Sequence, residues 1–495
     1  MEKLESKTVK GVIWGTGAQI FIYSFQFTVT ALLARVLAPE DFGSVGIIAV
    51  LLEFNVIIGG LGLTTALVQR RDLNRDHLHT AFWSQLGMNL ILYIAAVLLS
   101  SRIASYYGNP ILRNLMIVLA FNVIFEGLTF IPRSLLYRSM NFKELSLMRG
   151  ASEVISGMSA LGLAFGGAGI WSLVGRGMIG RASHVIMLWR KVTLRPRLRF
   201  SLKAFRELSP FGMKVMGSDL LEFISSNVDY LIVGKMLGVH ALGIYTLAYK
   251  LISFPLERIA SVIGLTLPAF SAIQDQRGRL CSWYLKTMQV TALVITPLIA
   301  GLFVLAPELV RVVWGAKWLE AITPIRLLSI AGLALVMEKT PRTVLVAIGK
   351  PGLILCFDTV KSLILGFSLI FAARYGILGV STAVAITVTA MGFTLQAIAA
   401  NRLKIGHILI LKILFPVVIS LLAMTGGVMA YKLTIARLWD NDPMLLIGGI
   451  FIGAVVYLSV LNFSGGQILT GAISFLRDRS EDRDEGQRDK EFRRI

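Results

Sequence analysis

The chain has 495 residues, 55% of them hydrophobic and only 16% charged, with a formal net charge of +20. A soluble chain of this length has too little interior to hide so much apolar surface, which excludes an ordinary soluble enzyme or binding module. The positive charge suits the Lys- and Arg-rich cytoplasmic loops of a membrane protein better than it suits nucleic acid, so no nucleic-acid partner is expected.

Met1 to Lys10 is short and charged, and no small-residue cleavage site follows the first apolar run. That run therefore reads as a retained helix and not as a signal peptide. From there the apolar residues gather in runs of roughly 18–25, the length that crosses a bilayer core. Spans are expected near 12–34, 43–65, 80–100, 112–132, 150–168, 170–189, 210–234, 241–265, 286–306, 325–347, 353–373, 377–400, 408–430 and 444–463. The fold class expected is an all-α polytopic membrane protein of about 14 transmembrane helices. With the N-terminus inside, cytoplasmic segments hold about three times as many Lys and Arg as the opposite side, which sets an N-in, C-in topology. The residues from Arg477 to Ile495 mix both charge signs without apolar periodicity, as a disordered tail does.

An internal repeat organises the chain. Arg35-Val-Leu-Ala-Pro-Glu-Asp-Phe-Gly43 is matched by Lys235-Met-Leu-Gly-Val-His-Ala-Leu-Gly243, with the basic residue, Leu37/Leu237 and Gly43/Gly243 in register. Pro132-Arg133 is matched by Pro341-Arg342, and Phe165-Gly166 with Gly169 by Tyr375-Gly376 with Gly379. Three matches in order at one offset of roughly 200–210 residues mark a six-span unit used twice. An even-span unit keeps its orientation, so the halves should be related by an axis along the membrane normal. The domains expected are a six-helix lobe at 1–190, a basic linker at 191–209, a second lobe at 210–404, two further helices at 405–465 and a charged tail at 466–495. The linker Arg190 to Arg206 reads first as a positive-inside anchor and second as a phospholipid or substrate contact.

Charges inside hydrocarbon are expensive and normally face a cavity or a partner. In the span at 210–234, Lys214, Ser218, Glu222, Ser225 and Asp229 recur every three or four residues and so share one helical face. Its repeat partner carries Thr16, Gln19, Tyr23, Gln26 and Thr30 at the same spacing. These two polar stripes are expected to line the space between the lobes. Glu53, Glu126, Arg176, Arg181, Lys250, Glu257, Arg258, Glu338 and Lys339 are further embedded charges. Glu257–Arg258 and Glu338–Lys339 are adjacent in sequence and cannot pair on one face, so each should find its partner on another helix. Basic groups in a cavity would attract phosphate or carboxylate, and buried carboxylates are candidate proton or cation sites.

Nothing points to catalysis. No Walker A, Gly-x-Ser-x-Gly or His-Glu-x-x-His sequence occurs. Cys281, in an expected loop, and Cys356, at the start of a span, have neither metal-ligand spacing nor reason to pair. His77 and His79 read as a solvated pair in a cytoplasmic loop. No catalytic residue, cofactor or metal is expected.

The pattern resembles the multidrug/oligosaccharidyl-lipid/polysaccharide exporter superfamily, and within it the polysaccharide transporter branch of Wzx-type flippases. The residues that carry the resemblance are Leu33-Ala-Arg35 through Leu37-Ala-Pro-Glu-Asp-Phe-Gly43, Asp229-Tyr-Leu-Ile-Val-Gly-Lys235 through Leu237-Gly238, Leu242-Gly-Ile-Tyr245, Ala248-Tyr-Lys250, and Val313-Trp-Gly315 with Lys317-Trp318. The resemblance covers the first twelve spans. It implies alternating access and an undecaprenyl-pyrophosphate-linked oligosaccharide carried across the bacterial inner membrane, with membrane lipids, glycosyltransferases and a polysaccharide polymerase as partners. It also makes Lys214, Lys250 and Arg258 candidate cavity cations, and it places Asp229 and Lys235 in the branch motif, with an interhelical or lobe-closing ion pair near the periplasmic end as one role and substrate contact as the other. Substrate-binding candidates are then Gln19, Tyr23, Gln26, Lys214, Ser218, Glu222, Ser225, Lys250 and Arg258; coupling or ion-pair candidates are Glu53, Glu126, Asp229 and Lys235. Two alternatives stand beside this reading: a cation-coupled multidrug exporter of the same superfamily, and a membrane scaffold for glycan-assembly enzymes.

Overall fold

A computed structural model describes residues 21–435, apart from 71, 140, 193, 195 and 265, together with residues 441–463. Among the described residues the regular structure is all helical, with no strand. The helices are α1 (Phe21–Val36), α2 (Pro39–Gly60), α3 (Leu63–Gln69), α4 (Arg75–Tyr107), α5 (Ile111–Leu119), α6 (Phe121–Arg138), α7 (Phe142–Phe165), α8 (Trp171–Lys191) and α9 (Leu202–Met236). They continue with α10 (Gly238–Gly264), α11 (Leu267–Ala272), α12 (Arg277–Val304), α13 (Ala306–Leu309), α14 (Ile322–Ala347), α15 (Pro351–Ala372), α16 (Gly376–Leu403), α17 (His407–Ile435) and α18 (Asp442–Phe463).

A helix underlies the described part of every segment expected to span. Nine helical runs among the described residues are long and apolar enough to cross a bilayer, and one of these, Pro351–Leu403, contains both α15 and α16. The helices α7, α8 and α9 fall outside those nine because ionisable side chains interrupt them: Glu144, Arg149 and Glu153 on α7, Arg176 and Arg181 on α8, and Lys214, Asp219, Glu222 and Asp229 on α9. Such groups require a polar partner or water, and the partners are the substance of the site.

Local chemistry sets the helix starts. Pro39 occupies the first turn of α2, where its missing N–H would have no intrahelical partner. Asn74 caps α4 by accepting the His77 amide at 2.9 Å, and Ser201 caps α9 by accepting the Ala204 amide at 3.3 Å. Proline also sits inside α6, α9, α10, α12, α14 and α17. Membrane helices tolerate this because neighbouring helices and local adjustments satisfy the freed carbonyl.

By contact the chain divides into two units at Thr246/Leu247, within α10. In the first, α2 packs against α4, α5, α6 and α9, while α7 and α8 form a close antiparallel pair. Leu63, Leu67, Phe82, Phe130, Ile131 and Leu208 form one apolar core there. In the second unit α14 lies between α12 and α16, with α15 against α16 and α17 against α12. Its core is built on Phe270, Tyr284, Met288, Leu345, Phe357 and Leu395. The helix α9 follows the linker in sequence yet packs with the first unit, on α2, α3 and α4.

Candidate functional site

The two copies of the repeated motif meet each other in the first unit. A Cβ on Gly43 would stand 1.8 Å from the Val239 carbonyl oxygen, and one on Gly243 would stand 1.9 Å from the Pro39 carbonyl oxygen. Only glycine lets two backbones approach so closely. Each copy therefore touches the other through the same two positions of the motif. Between them, Glu40 Oε1 lies 2.7 Å from His240 Nδ1. At the far end of α2 the approach recurs: a Cβ on Gly62 would lie 2.0 Å from the Gly212 carbonyl oxygen, and one on Gly212 would lie 2.4 Å from the Leu61 carbonyl oxygen. Phe54 and Phe223 fill the middle, with ring centroids 5.7 Å apart. The helix α9 is thus moored to α2 along its length.

This mooring decides which face of α9 is free. Leu208, Gly212, Phe223, Asn227, Asp229 and Val233 are buried. Lys214, Ser218 and Glu222 are exposed on the other side, and Ser225 is half-buried. The stripe seen in the sequence is therefore two things. Its first three members form an open polar face. Its last, Asp229, turns inward, where its Oδ2 accepts the Tyr245 hydroxyl at 2.6 Å and its Oδ1 accepts the Tyr230 amide at 2.9 Å. The Tyr230 and Tyr245 rings meet edge to face at 5.7 Å. Lys235 donates to the Tyr106 carbonyl oxygen and lies 3.9 Å from the centre of the Tyr106 ring. Asp229 and Lys235 lie nearly two turns apart on one helix, and each reaches a different neighbour.

Of the other candidates, Tyr23 is buried and Gln26 half-buried on α1, while Glu53 on α2 and Lys250 on α10 are exposed. Gln19 and the side chain of Arg258 lie outside the described residues. Glu126 is engaged within its own unit, 2.7 Å from Arg133 on α6 and 3.4 Å from Arg181 on α8. Arg176, deeper on α8, donates to Thr30 Oγ1 on α1 at 3.2 Å.

The second unit holds a larger network. Glu338, 3% exposed on α14, binds Arg342 one turn on at 2.8 Å and Lys361 of α15 at 2.7 Å. Arg342 grips Asp358 of α15 through both terminal nitrogens, at 2.6 and 2.7 Å. The expectation that Glu338 finds its partner on another helix holds for Lys361 and needs amending for Arg342, which shares its face at the next turn. The arginines of the two Pro-Arg repeats, Arg133 and Arg342, each hold a glutamate of their own helix. Asp358 and Tyr245 were missed by sequence reasoning. The available signal was the Asp358–Lys361 spacing on one face of α15; for Tyr245 there was none beyond its place in a motif.

The histidine pair differs most from expectation. His77 and His79 are each 4% exposed, in the opening turns of α4 and not in a loop. His77 Nε2 lies 3.0 Å from Glu207, which also pairs with Arg70, and His79 Nδ1 accepts the Arg197 amide at 3.2 Å. The linker and the start of α9 cover both rings, which the sequence alone could not place. Glu207, ahead of the expected span, is held below the usual carboxylate range. The His77 hydrogen bond lowers it most; desolvation partly offsets this, and the charges of Arg70, His77 and Lys203 add to the lowering. Cys281 also lies in a helix, near the start of α12, with its thiol 3.5 Å from the Leu403 carbonyl oxygen.

A family model described as "Polysaccharide biosynthesis protein" matches residues 32–323, more than half of the chain. The chain belongs to this family. As a member, it is 28% identical over 330 residues to the succinoglycan biosynthesis transport protein ExoT of Rhizobium meliloti, covering 66% of this chain and 67% of that protein. It is 27% identical over 340 residues to the lipopolysaccharide biosynthesis protein WzxC of Escherichia coli, covering 67% and 68%, and 25% identical over 380 residues to the teichuronic acid biosynthesis protein TuaB of Bacillus subtilis, covering 76% and 78%. Among solved structures it resembles the lipid II flippase MurJ in an inward closed conformation, with a TM-score of 0.76, 16% identity and coverage of 92% of this chain and all of that one. An inward-facing multidrug resistance transporter of the MOP superfamily gives a TM-score of 0.62 at 14% identity, covering 77% and 94%. The chain therefore shares the fold of these two proteins. The family match takes in the motif crossing, the α9 stripe and the Glu126 cluster, and stops short of the Glu338 network.

Proposed function

We propose that this protein is a flippase that moves a lipid-linked oligosaccharide, of the undecaprenyl-pyrophosphate class, from the inner to the outer leaflet of the bacterial inner membrane for polysaccharide biosynthesis. Membership in the polysaccharide biosynthesis family supports the class of process, and the names of the relatives support transport as the activity. The observation that carries the reading is the open face of α9. Lys214, Ser218 and Glu222 project together from a helix whose opposite face is packed into the first unit. A lysine at that depth is costly unless it meets water or an anion, and a diphosphate supplies the anion.

In this reading Lys214 holds the phosphate end of the lipid with Ser218 and Ser225 beside it on α9, and Lys250 of α10 is a further cation that the family resemblance makes a candidate. Gln26 and Tyr23 of α1 supply sugar contacts. The repeat halves at 1–190 and 210–404 act as the two lobes of an alternating-access cycle. Glu126 is held by two arginines and Asp229 by the Tyr245 hydroxyl and the Tyr230 amide, which leaves Glu53 and Glu222 as the carboxylates to carry any coupling ion. Glycosyltransferases that build the oligosaccharide and a polymerase that consumes it are the natural partners.

The test is flipping of a lipid-linked oligosaccharide in proteoliposomes. The wild-type chain flips it, and Lys214→Ala with Lys250→Ala loses most of the activity while keeping its unfolding temperature. Flipping that survives the double substitution removes these lysines from the site. A deletion strain should accumulate lipid-linked repeat units on the cytoplasmic face. Drug sensitivity without loss of surface polysaccharide would instead favour a multidrug exporter.

A further inference from the structure

The segment that joins α8 to α9 is held in a defined place by the start of α4. The Arg197 amide donates to His79 Nδ1 at 3.2 Å, the Trp83 indole donates to the Arg197 carbonyl oxygen at 2.8 Å, and the Ser201 amide donates to Thr80 Oγ1 at 2.9 Å. These bonds use the backbone of the segment; of its side chains, Ser201 caps α9 and the Phe200 ring lies 6.1 Å from that of Phe205. The backbone bonds also fix its height. Arg75, Asp76 and His77 make up the polar first turn of α4, and its apolar run begins within the next turns. His79 to Trp83 rise about 6 Å along the helix, so the segment lies beside the polar end of α4.

At that level its side chains face outward in an unusual mixture. The Arg199 amide donates to the Arg197 carbonyl oxygen at 2.7 Å, closing a three-residue turn on Leu198. The turn leaves Leu198 86% exposed, with Phe200 at 59% and Leu202 at 54%. Arg197, Arg199, Lys203 and Arg206 are exposed between and beside them. The first turn of α9 that follows carries no acidic residue. A charge run that only anchors topology has no reason to present leucine and phenylalanine on the same surface. Cations interleaved with apolar side chains at an interface fit a lipid layer whose headgroups are anionic.

We propose that residues 197–206 form a rigid docking strap for anionic phospholipids of the cytoplasmic leaflet. Arg197, Arg199, Lys203 and Arg206 contact the headgroup phosphates, and Leu198, Phe200 and Leu202 enter the acyl boundary. The strap draws such lipids to the foot of α9, the helix that bears Lys214. Docking does not depend on the transport reading: the strap would bind phospholipid whether or not α9 carries an oligosaccharide.

The experiment places a spin label on Leu198→Cys, in the full chain with Cys281→Ser and Cys356→Ser, reconstituted into nanodiscs. Matched discs contain phosphatidylcholine alone or with phosphatidylglycerol. In phosphatidylglycerol discs the label should be shielded from a water-soluble relaxation agent and open to oxygen, and in phosphatidylcholine discs the order should reverse. Each basic side chain near an anionic surface strengthens attraction about fivefold. Replacing Arg197, Arg199, Lys203 and Arg206 with Gln should therefore bring phosphatidylglycerol discs to the phosphatidylcholine result. Raising the salt concentration should do the same without any change to the protein. Glycerol 3-phosphate added to phosphatidylcholine discs should leave the label in water, which separates a lipid headgroup from a free phosphate. Equal shielding in both kinds of disc, or shielding that ignores salt, overturns the proposal. Spin–spin broadening from a second copy in the disc would assign the surface to self-association and also overturn it.

Discussion

Glu40 and His240 stand 2.7 Å apart in space and 200 residues apart in sequence, and that separation is the repeat distance of the chain. They occupy the same position in the two copies of the motif. On either side of them Gly43 meets Val239 and Gly243 meets Pro39, again at equivalent positions. A local pseudo-two-fold relation therefore passes between the carboxylate and the imidazole. The motif that carries the family resemblance is the contact surface of this crossing.

The crossing leaves no room for a methyl group. Gly43→Ala and Gly243→Ala should each destabilise the protein by about 1–3 kcal/mol, because a carbonyl oxygen and its backbone must shift to admit the new carbon. Gly60→Ala serves as the control, since a Cβ there meets open space. Thermal unfolding in detergent measures all three, and transport assays show whether a wedged crossing also halts the cycle.

Tyr245→Phe should cost about 1–3 kcal/mol by stripping a hydrogen bond from the buried Asp229 carboxyl. Asp229→Leu removes the polar group at the other end and leaves the Tyr245 hydroxyl and the Tyr230 amide without that partner. Asp229→Asn keeps an acceptor for the hydroxyl and should cost less than either. Equal unfolding temperatures for all three variants would refute this ranking.

In the second unit, Glu338→Leu should be more damaging than Asp358→Leu. Glu338 neutralises both Arg342 and Lys361, whereas loss of Asp358 leaves Arg342 still paired with Glu338. Breaking a buried pair by removing one partner costs about 3–5 kcal/mol. Replacing Glu338 and Lys361 together with apolar residues should recover part of that loss, which a double-mutant cycle in detergent would measure.

The Glu207 clasp gives an acid-sensitive contact. Its carboxyl is held below the ordinary carboxylate range by His77, so the contact is fully present above the unfolded value of about 4.3. It is lost as pH falls through the lower, folded value. Hydrogen exchange across residues 74–80, corrected for intrinsic rates, should be flat from neutral pH to about 5 and then open in the acid range below about 4. Glu207→Gln should remove that acid-range change. Exchange that rises between pH 7 and 5 would contradict the assignment.

Much of the fold was legible because the signals for membrane helices are local: apolar length, a capping residue, a charge asymmetry. The polar face of α9 was legible for the same reason, since a spacing of three or four residues needs no knowledge of neighbours. What lies opposite that face was not. Asp229 belongs to the stripe by spacing, yet it turns inward because Gly212 and Gly234 let α9 settle on α2 and because Tyr245 waits on the next helix. His77 and His79 resemble solvated loop residues until Glu207 and Arg197, more than a hundred positions later, are folded over them. The arginines of the repeated Pro-Arg pairs were visible, and their glutamates were too, but whether the charges met on one helix or across two depended on packing.

A contact in which each copy of a motif meets the other through the same positions is the contact that a half-length chain would make with a second copy of itself. In such a pair, position 40 would have to face its own duplicate, glutamate against glutamate or histidine against histidine. Joining the copies in one polypeptide removes that restriction. Glu40 and His240 have used the freedom, since they place an acid against a base at a spot where strict symmetry would allow only like against like.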